Sequence, residues 1–304
     1  MSIINKLFFK NVKITTFGIT RLTQEQVKES VWLKKGGRLI DITRHHGMIC
    51  LDPFCMAVWL SGDEVAGLDP QTGSILFKSN GRLNAEISVS LIEKNPTDNG
   101  VLLLYKIVKV KNHQLSALHR LLLFGHFLRS PKNTYQHRKM ISALYSYPRN
   151  IIIVSYKDSE YYNIFPMDIH SYIVEEKLYL LGLRTTNVTL DKILAAKKVV
   201  VCDTDTVGID TVYALGKHPS KNPTQIKDLS FGVSNSEMFG FFVPDFTGSY
   251  KEIEIIGHKK MGYHMLLIGK VVNEKKIRPE SALLYHVGFL QFRQSRYQHI
   301  EGLY

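Results

Sequence analysis

The sequence of 304 residues has little cysteine and no long apolar run. Its three cysteines, Cys50, Cys55 and Cys202, form no even framework and argue against a disulfide scaffold. The Cys50–Cys55 pair lies near His45 and His46 but has no second pair of ligands, so we predict free thiols and no metal site. No stretch approaches the ~18–20 continuous apolar residues of a membrane span, and no secretory cleavage pattern is seen. These absences favour a soluble, cytoplasmic protein that contacts no membrane.

Several catalytic and nucleotide-binding signatures are also missing. The chain has no Gly-x-Gly-x-x-Gly fingerprint, no Gly-Lys-Ser/Thr phosphate loop and no Gly-x-Ser-x-Gly elbow. A Rossmann-type dinucleotide domain, a P-loop nucleotidase and an esterase of the α/β-hydrolase type are therefore not predicted.

Acidic residues are scarce in the first half of the chain. Residues 1–146 contain 20 Lys and Arg against 10 Asp and Glu, whereas residues 147–304 contain 19 against 17. No acidic side chain occurs from Asn99 through Lys157. Such a segment attracts phosphates, nucleic acid or an acidic partner, or it is simply a solvated basic face. No aromatic-interleaved nucleic-acid motif accompanies the charges, so nucleic acid is not the expected partner.

Hydrophobic periodicity divides the chain into three parts. Residues 1–112 show short alternating segments with turn signals such as Asn80-Gly81, and they predict a small β-rich region. Residues 113–146 contain leucines at helical spacing and predict a helical connector. Residues 147–304 return to strand patterns. The predicted fold class is mainly β, and no internal repeat is visible.

The strands of the last part are predicted to close into a barrel. The predicted strands are 151–155, 160–164, 177–183, 198–203, 253–257, 265–272 and 282–289. Two short helices are predicted between them, over 189–196 and 205–215. This alternation is typical of a Greek-key barrel of roughly 150 residues.

Polar residues gather where the strand 177–183 leads into the helix 189–196. The segment from Arg184 to Thr189 reads Arg-Thr-Thr-Asn-Val-Thr. Arginine presents a planar fork of donors that matches phosphate oxygens, and hydroxyl and free backbone N–H groups at a helix start favour an anion. The same groups suit a simple helix cap made by Asn187 or Thr189. The segment alone leaves phosphate binding and capping open.

Two further polar segments accompany it. One reads Asn163-Ile164-Phe165-Pro166-Met167-Asp168 at the end of a predicted strand, where proline is at home. The other contains Gly262-Tyr263-His264 and is followed by a closing strand with Tyr285 and His286. Each segment also has a plain structural explanation, as an ordinary turn, a satisfied histidine or an outward-facing side chain.

Taken in order, these segments resemble the flavin reductase-like family, whose members are split β-barrels that bind FMN. The resemblance covers about residues 147–304 and implies an FMN-binding split β-barrel of Greek-key type with short inserted helices. The small β-rich region and the helical connector precede it. The resemblance implies phosphate ligands at Arg184, Thr185, Thr186, Asn187 and Thr189, ring contacts at Asn163, Pro166, Met167 and Asp168, and a border residue at Tyr285. Lys217 follows the second predicted helix, and we expect it either to contact a phosphate of FMN or NAD(P)H or to lie at a dimer edge.

Two positions depart from the family pattern. Asp168 stands where a small hydroxyl residue is more usual, and Tyr263 replaces an acidic residue. An ionised carboxylate has no donor, so we expect Asp168 to accept from the flavin N3–H or to pair with a base such as His170.

The resemblance further implies NAD(P)H-dependent reduction of flavin by hydride transfer to N5, with His264 on the nicotinamide side. It also implies a homodimer with the flavin at the subunit interface. The alternative is a non-catalytic flavin- or haem-binding module whose basic N-terminal half engages an acidic partner. A third reading is a basic nucleic-acid-binding protein that has kept a barrel without a cofactor.

Overall fold

Strands dominate the fold, as predicted. The computed structural model describes residues 17–127, 134–217, 221–279, 281–298 and 300. The strands of the first half are β1 (Phe17–Leu22), β2 (Glu29–Lys35), β3 (Arg38–Asp41), β4 (His46–Leu51), β5 (Phe54–Ser61), β6 (Thr72–Ser79), β7 (Arg82–Pro96) and β8 (Gly100–Asn112). Those of the second half are β9 (Arg149–Asn150), β10 (Ile152–Lys157), β11 (Tyr162–Met167), β12 (His170–Ile173), β13 (Leu178–Arg184), β14 (Lys198–Cys202), β15 (Val233–Asn235), β16 (Phe242–Pro244), β17 (Ser249–Met261), β18 (His264–Lys276) and β19 (Leu283–Gly288).

Six α-helices are found among the described residues. They are α1 (Gly62–Val65), α2 (Ala117–Phe127), α3 (Thr134–Leu144), α4 (Thr189–Ala196), α5 (Ile209–Lys217) and α6 (Phe289–Ser295). The helix predicted over 189–196 has these bounds, whereas the one predicted from residue 205 begins four residues later. No helix in the described ranges is long and apolar enough to cross a membrane.

The N-terminal sheet consists of seven antiparallel strands in the order β3-β2-β6-β7-β8-β5-β4. Its β6–β7 hairpin turns at Asn80 and Gly81, both with positive φ, as the Asn-Gly signal predicts. Alternate residues such as Val31, Leu33 and Phe77 are buried, which fits strands that face a core on one side.

The C-terminal sheet also has seven antiparallel strands, in the order β11-β10-β14-β17-β18-β13-β12. The helix α4 lies between β13 and β14 in the chain, and α5 follows β14. Both helices bury one apolar face in the core of this half, through Leu190 and Ile193 of α4 and Val212 and Leu215 of α5. The sheet and its two helices form the barrel-like unit that positions the candidate site.

The two sheets have the same topology. When β2 to β8 are matched in chain order with β10 to β14, β17 and β18, the two strand orders become identical. A short helix follows the fourth matched strand in both halves, α1 in the first and α4 in the second. The sequence shows no repeat, yet the fold has one.

The strand predicted over 282–289 lies outside the barrel. It is β19, which pairs with β1 on one side and with β9 on the other to form a separate three-stranded sheet. Strand propensity marks the segment correctly but does not specify the partner, because pairing depends on surfaces distant in sequence. The chain segment before the N-terminal sheet therefore docks on the C-terminal half.

The helical connector packs on the N-terminal half. Ala143, Leu144 and Tyr145 at the end of α3 are buried in the core of the N-terminal sheet. The same core includes Ile169, just before β12. The connector thus lies where the two halves meet.

Candidate functional site

A cleft of about 360 Å³ opens beside the C-terminal sheet, between the end of β11, the end of β13 and the end of α5. Its volume lies within the roughly 300–1,000 Å³ of small-molecule sites. Of the residues predicted to bind the cofactor or act in catalysis, eight line the cleft: Asn163, Pro166, Met167, Asp168, Arg184, Thr186, Asn187 and His264. The other lining residues are mostly apolar or glycine: Phe165, Ile169, Gly182, Leu183, Leu215 and Gly216.

The mouth of the cleft holds the segment predicted to bind phosphate. Arg184 is the last residue of β13, and its side chain and that of Thr186 are exposed. Asn187 lies two residues before α4: its Oδ1 accepts from the Thr189 N–H at 3.0 Å and its carbonyl accepts from the Leu190 N–H. Asn187 thus bonds the first turn of α4 while it lines the cleft, and Arg184 and Thr186 are exposed at the mouth.

Two residues of this segment turn away from the cleft. Thr189 is fully buried, and its hydroxyl accepts from Asn163 Nδ2 at 2.8 Å and bonds Tyr161 at 2.8 Å. Thr185 donates its hydroxyl to the Tyr263 carbonyl at 3.2 Å. Both were predicted as phosphate ligands. In the structure Thr189 joins the start of α4 to β11. Thr185 joins β13 to the β17–β18 turn.

Asp168 is the centre of a polar chain at the inner end of the cleft. Its Oδ2 accepts from the Tyr145 hydroxyl at 2.8 Å and pairs with His286 Nδ1 at 2.8 Å. His286 Nε2 in turn lies 3.2 Å from the Tyr213 hydroxyl. Burial alone would raise the pKa of Asp168, but the hydrogen bonds and charge of His286 and Tyr145 hold that pKa below its usual value.

The base that pairs with Asp168 is therefore His286, not His170. The His170 ring is engaged elsewhere, with Nε2 3.1 Å from the Asn150 carbonyl and Nδ1 3.1 Å from the Tyr179 hydroxyl. Burial lowers the pKa of His170 to about 4, so this ring is neutral near pH 7. A neutral ring is a poor counter-ion for a carboxylate.

His264 is the most informative residue of the cleft. Its side chain is 1% exposed, and its Nε2 has no hydrogen-bond partner among the described residues. Burial first, and the charge of Arg184 second, lower its pKa to about 4, so the imidazole is neutral near pH 7. A buried polar atom without a partner costs about 1–3 kcal/mol. The plain alternative, a satisfied structural histidine, does not describe this ring.

The other ring nitrogen of His264, Nδ1, contacts a thiol of the N-terminal sheet. Nδ1 lies 3.5 Å from the Cys50 Sγ, on β4 of the N-terminal sheet. Burial raises the pKa of Cys50, so the thiol stays protonated, and it donates to the Met261 carbonyl. Because the thiol proton is engaged there, we assign the tautomer in which Nδ1–H donates to the sulfur and Nε2 is an acceptor in the cleft wall. A ligand with a donor at this point would satisfy it.

Lys217 and Tyr285 do not line the cleft. Lys217 is exposed at the end of α5, next to Gly216, which does line it. Tyr285 is buried in a separate apolar cluster with Leu22, Val287 and other residues, and burial raises its pKa. Neighbouring residues of a strand face opposite sides, so when His286 points to Asp168, Tyr285 must point away. The predicted border residue Tyr285 therefore points away from Asp168 and does not line the cleft.

Sequence reasoning missed the contributions of three side chains. Tyr145 and Tyr213 join the Asp168 chain from α3 and α5, and Cys50 reaches His264 from the other half of the molecule. The cysteine was visible in the sequence as a free thiol, but nothing local connects position 50 with position 264. All three contacts depend on tertiary packing.

A second cleft, of about 440 Å³, lies on the other side of Asp168. It is lined by residues of both halves, including His46, Arg149 and Lys251. Arg149 Nε and His46 Nε2 have no hydrogen-bond partner among the described residues. Asp168 is the only predicted ligand-binding residue that lines it, so the smaller cleft remains the site to which the sequence points.

Comparison with known proteins gives matches only among solved structures. No family model matches the chain, and no curated protein matches it. An NADH:FAD oxidoreductase from Streptomyces globisporus, SgcE6, is 15% identical, with a TM-score of 0.45 over 58% of this chain and 98% of that chain. The flavin reductase PheA2 is 16% identical, with a TM-score of 0.41 over 53% and 95%. An FMN-binding protein from Thermus thermophilus is 18% identical, with a TM-score of 0.39 over 43% and 72%.

These structures are flavin reductases and FMN-binding proteins, the kind of protein that the sequence segments resemble. Identity below 20% and TM-scores below 0.5 describe a likeness and carry no functional argument.

Proposed function

We propose that the cleft binds FMN and that the protein is an NAD(P)H-dependent flavin oxidoreductase. The observation that carries the proposal is the pairing of a buried, unpartnered acceptor, His264 Nε2, with an exposed cation, Arg184, in one cleft. A ligand with a planar ring that carries a hydrogen-bond donor on its edge would pair with His264 Nε2, and its anionic tail would pair with Arg184.

The anionic tail belongs at the mouth. Arg184 offers a fork of donors, and Thr186 offers a hydroxyl, both in the open. The dipole of α4, which starts at Thr189, adds a partial positive charge at the same end. A phosphate there stays partly hydrated, so its binding does not require a closed pocket.

The ring belongs against the apolar part of the cleft. Pro166, Met167 and Leu215 supply apolar surface from β11 and α5, and His264 Nε2 supplies the acceptor. Bound flavin supplies the atom that takes up a hydride from the nicotinamide nucleotide. The chain itself positions the ring, excludes water from its buried edge and leaves one face open.

Proton transfer is not the role that the geometry gives to His264. Its depressed pKa keeps it neutral near pH 7, so it accepts a hydrogen bond and does not protonate the ring. Asp168 is ionised and engaged with Tyr145 and His286, and it holds the inner wall in place.

An absorption spectrum tests the proposal directly. Purified protein mixed with FMN and passed through a desalting column should retain a yellow chromophore, and NADH or NADPH should bleach it without oxygen. Protein that retains no FMN at micromolar concentration would contradict the binding site. Protein that retains FMN but is not reduced by either nucleotide would contradict the enzymatic activity.

The last outcome would favour the alternative, a non-catalytic flavin- or haem-binding module with a partner-binding half. One feature supports a partner for the basic half. Burial, and repulsion by Lys109 and Arg120, lower the pKa of Lys139, so three cations lie near one another on this half. Such a cluster suits an acidic protein surface.

A further inference from the structure

The two sheets correspond strand by strand, and the correspondence extends to individual pairs. In the C-terminal sheet Arg184 of β13 pairs with His264 of β18. In the N-terminal sheet the matched strands β5 and β8 pair Ser61 with Gly100. Ser61 and Arg184 are the last residues of the strands that precede the short helices, and Gly100 and His264 are the first residues of the strands that pair with them. Matched by this register, Ser61 corresponds to Arg184 and Gly100 corresponds to His264. This correspondence is the common frame of the two halves.

Equivalent surfaces of the two halves face each other. In the common frame, the pair Ala57–Leu104 corresponds to the pair Leu180–Ile268. All four side chains belong to one apolar cluster between the sheets, together with Ile49 of β4 and Ile173 of β12. An interface in which both partners use the same patch is the isologous kind found in two-fold dimers.

The turns at the edge of this interface make reciprocal contacts. The Tyr263 N–H, in the β17–β18 turn, donates to the Asp52 carbonyl in the β4–β5 turn at 2.8 Å. The matched contact runs from the N-terminal half to the C-terminal half. The Asn99 N–H in the β7–β8 turn donates to the side-chain Oε1 of Glu176, in the β12–β13 turn, at 2.8 Å. Contacts of i with j and of j with i are what a two-fold axis produces.

The pseudo-axis also brings matched strands onto each other. Glu93 of β7 forms an ion pair with Lys259 of β17. Ser171 of β12 donates its hydroxyl to the His46 carbonyl of β4 at 3.1 Å. At Gly47 of β4 an added Cβ would collide with Ser171, so the two strands cross at a distance only glycine allows.

The N-terminal copy lacks the groups that mark the cleft. In the common frame Ser61 stands in the place of Arg184, and Gly100 in the place of His264. The start of α1 carries Asp63 and Glu64, and Glu64 folds back to accept from the Ser61 N–H at 2.9 Å. Two carboxylates at this helix start repel a phosphate where Arg184 would attract one.

The N-terminal copy also lacks one wall. The C-terminal cleft is closed on one side by Leu215 and Gly216 of α5, which is inserted between β14 and β17. The matched strands β6 and β7 are joined by the tight Asn80-Gly81 turn, which has no room for a helix. The position in the N-terminal half that matches the cleft therefore lacks both the positive charge of Arg184 and the wall formed by α5.

From this we infer that residues 29–112 are a degenerate second copy of the C-terminal barrel that occupies the place of a partner subunit, so that one chain forms a complete site and binds one flavin. The inference rests on the proposed function for the identity of the ligand. The homodimer implied by the sequence resemblance is replaced by a pairing within the chain.

The N-terminal copy contributes a positioning residue to the retained site. Cys50 of β4 holds His264 Nδ1 and so keeps Nε2 an acceptor toward the cleft. The contact joins the two matched halves and is made within one chain. Cys50 touches His264 and is not a lining residue of the cleft.

Mass and stoichiometry test the inference. Light scattering of the eluted protein should give the 34.8 kDa of one chain, and calorimetric titration with FMN should give one site per chain. A mass of two chains, or two FMN sites per chain, would overturn it. The mass is measured without ligand, so a chain that elutes alone but binds no FMN counts against the proposed function only.

Variants of Cys50 test the positioning role. Cys50→Ala should shift the His264 ring nitrogen signals in an ¹⁵N NMR spectrum of the ligand-free protein and weaken FMN binding by about threefold to tenfold. Cys50→Ser keeps an acceptor for Nδ1–H and should restore both. The matched control is Cys202→Ala, which removes another buried thiol. Unchanged His264 signals in Cys50→Ala, or equal effects of Cys202→Ala, would overturn the role of the N-terminal copy.

Discussion

Arg184 and His264 are register partners across β13 and β18, so the exposed cation of the cleft stands one strand away from its buried imidazole. The guanidinium is one of the causes of the low pKa of His264, after burial. A single strand pair therefore sets both the charge at the mouth and the neutrality of the acceptor inside.

Removing the cation should weaken flavin binding. Arg184→Ala is expected to lower FMN affinity by about 1.5–3 kcal/mol, the range for hydrogen bonds to charged groups. Fluorescence titration of FMN measures the change. Arg82→Ala, which removes an exposed arginine from the N-terminal sheet, is the matched control. An FMN titration of Arg184→Ala that overlays the wild type would remove Arg184 from the site.

Buried histidines should make the fold sensitive to acid. The folded pKa of His264 is about 4, against an ordinary value of 6.5, and burial lowers those of His170 and His46 in the same direction. The unfolded chain then binds more protons, so the free energy of unfolding falls as pH drops from about 6.5 to about 4. Above about 6.5 these rings are neutral in both states and the effect vanishes.

Urea unfolding at several pH values measures this slope. His264→Gln should reduce the change in the free energy of unfolding between about pH 6.5 and about pH 4 by about 1–3 kcal/mol, because one of the rings that resist protonation is gone. His258→Gln, at an exposed position of β17, provides the comparison. Equal slopes for His264→Gln and the wild type would show that His264 is not held neutral by its surroundings.

The carboxylate of Asp168 should matter for stability more than an exposed one. Asp168→Asn keeps the shape but removes the charge that Tyr145 and His286 share, and we expect a loss of about 1.5–3 kcal/mol in the free energy of unfolding. Glu254→Gln makes the same chemical change on the exposed side of β17. Comparable losses in the two variants would mean that the Asp168 chain contributes little.

The contact between the halves can be probed at one glycine. Gly262 and Gly81 both have φ above +70°, but a Cβ at Gly262 would collide with the Asp52 carbonyl, whereas a Cβ at Gly81 meets open space. Gly81→Ala should cost about 1–2 kcal/mol through backbone strain. Gly262→Ala should cost clearly more, because the turn must also move away from the N-terminal sheet. Thermal unfolding of both variants compares them, and equal costs would show that the turns are not closely packed.

The sequence predicted the fold class and many individual elements. The mainly β class is confirmed, and α4 has the predicted bounds because its apolar spacing is a local signal. Strand partners were harder, since β19 has the pattern of a barrel strand but pairs with β1. The repeated topology left no trace in the sequence, because strand order depends on pairing surfaces and tolerates almost any apolar side chain.

The cleft was predicted in part, for similar reasons. Asn163, Arg184 and His264 could be named from short polar segments that turn signals place at strand ends. The role of Tyr285 depends on which way one side chain points, and a shift of one residue reverses that direction in a strand. The role of Thr189 depends on its contacts with Tyr161 and Asn163, which are distant in sequence. Cys50 could not be connected with His264, because 214 positions separate them and only the packed fold brings them together.

The covalent link between the two matched halves has a consequence for dilution and for evolution. Subunits held only by contacts separate as protein becomes scarce, whereas halves joined by a peptide chain stay together at any concentration. In a symmetric assembly every substitution also appears twice. Here Ser61 and Arg184 occupy matched positions that are encoded separately, so a substitution at one position leaves the other unchanged.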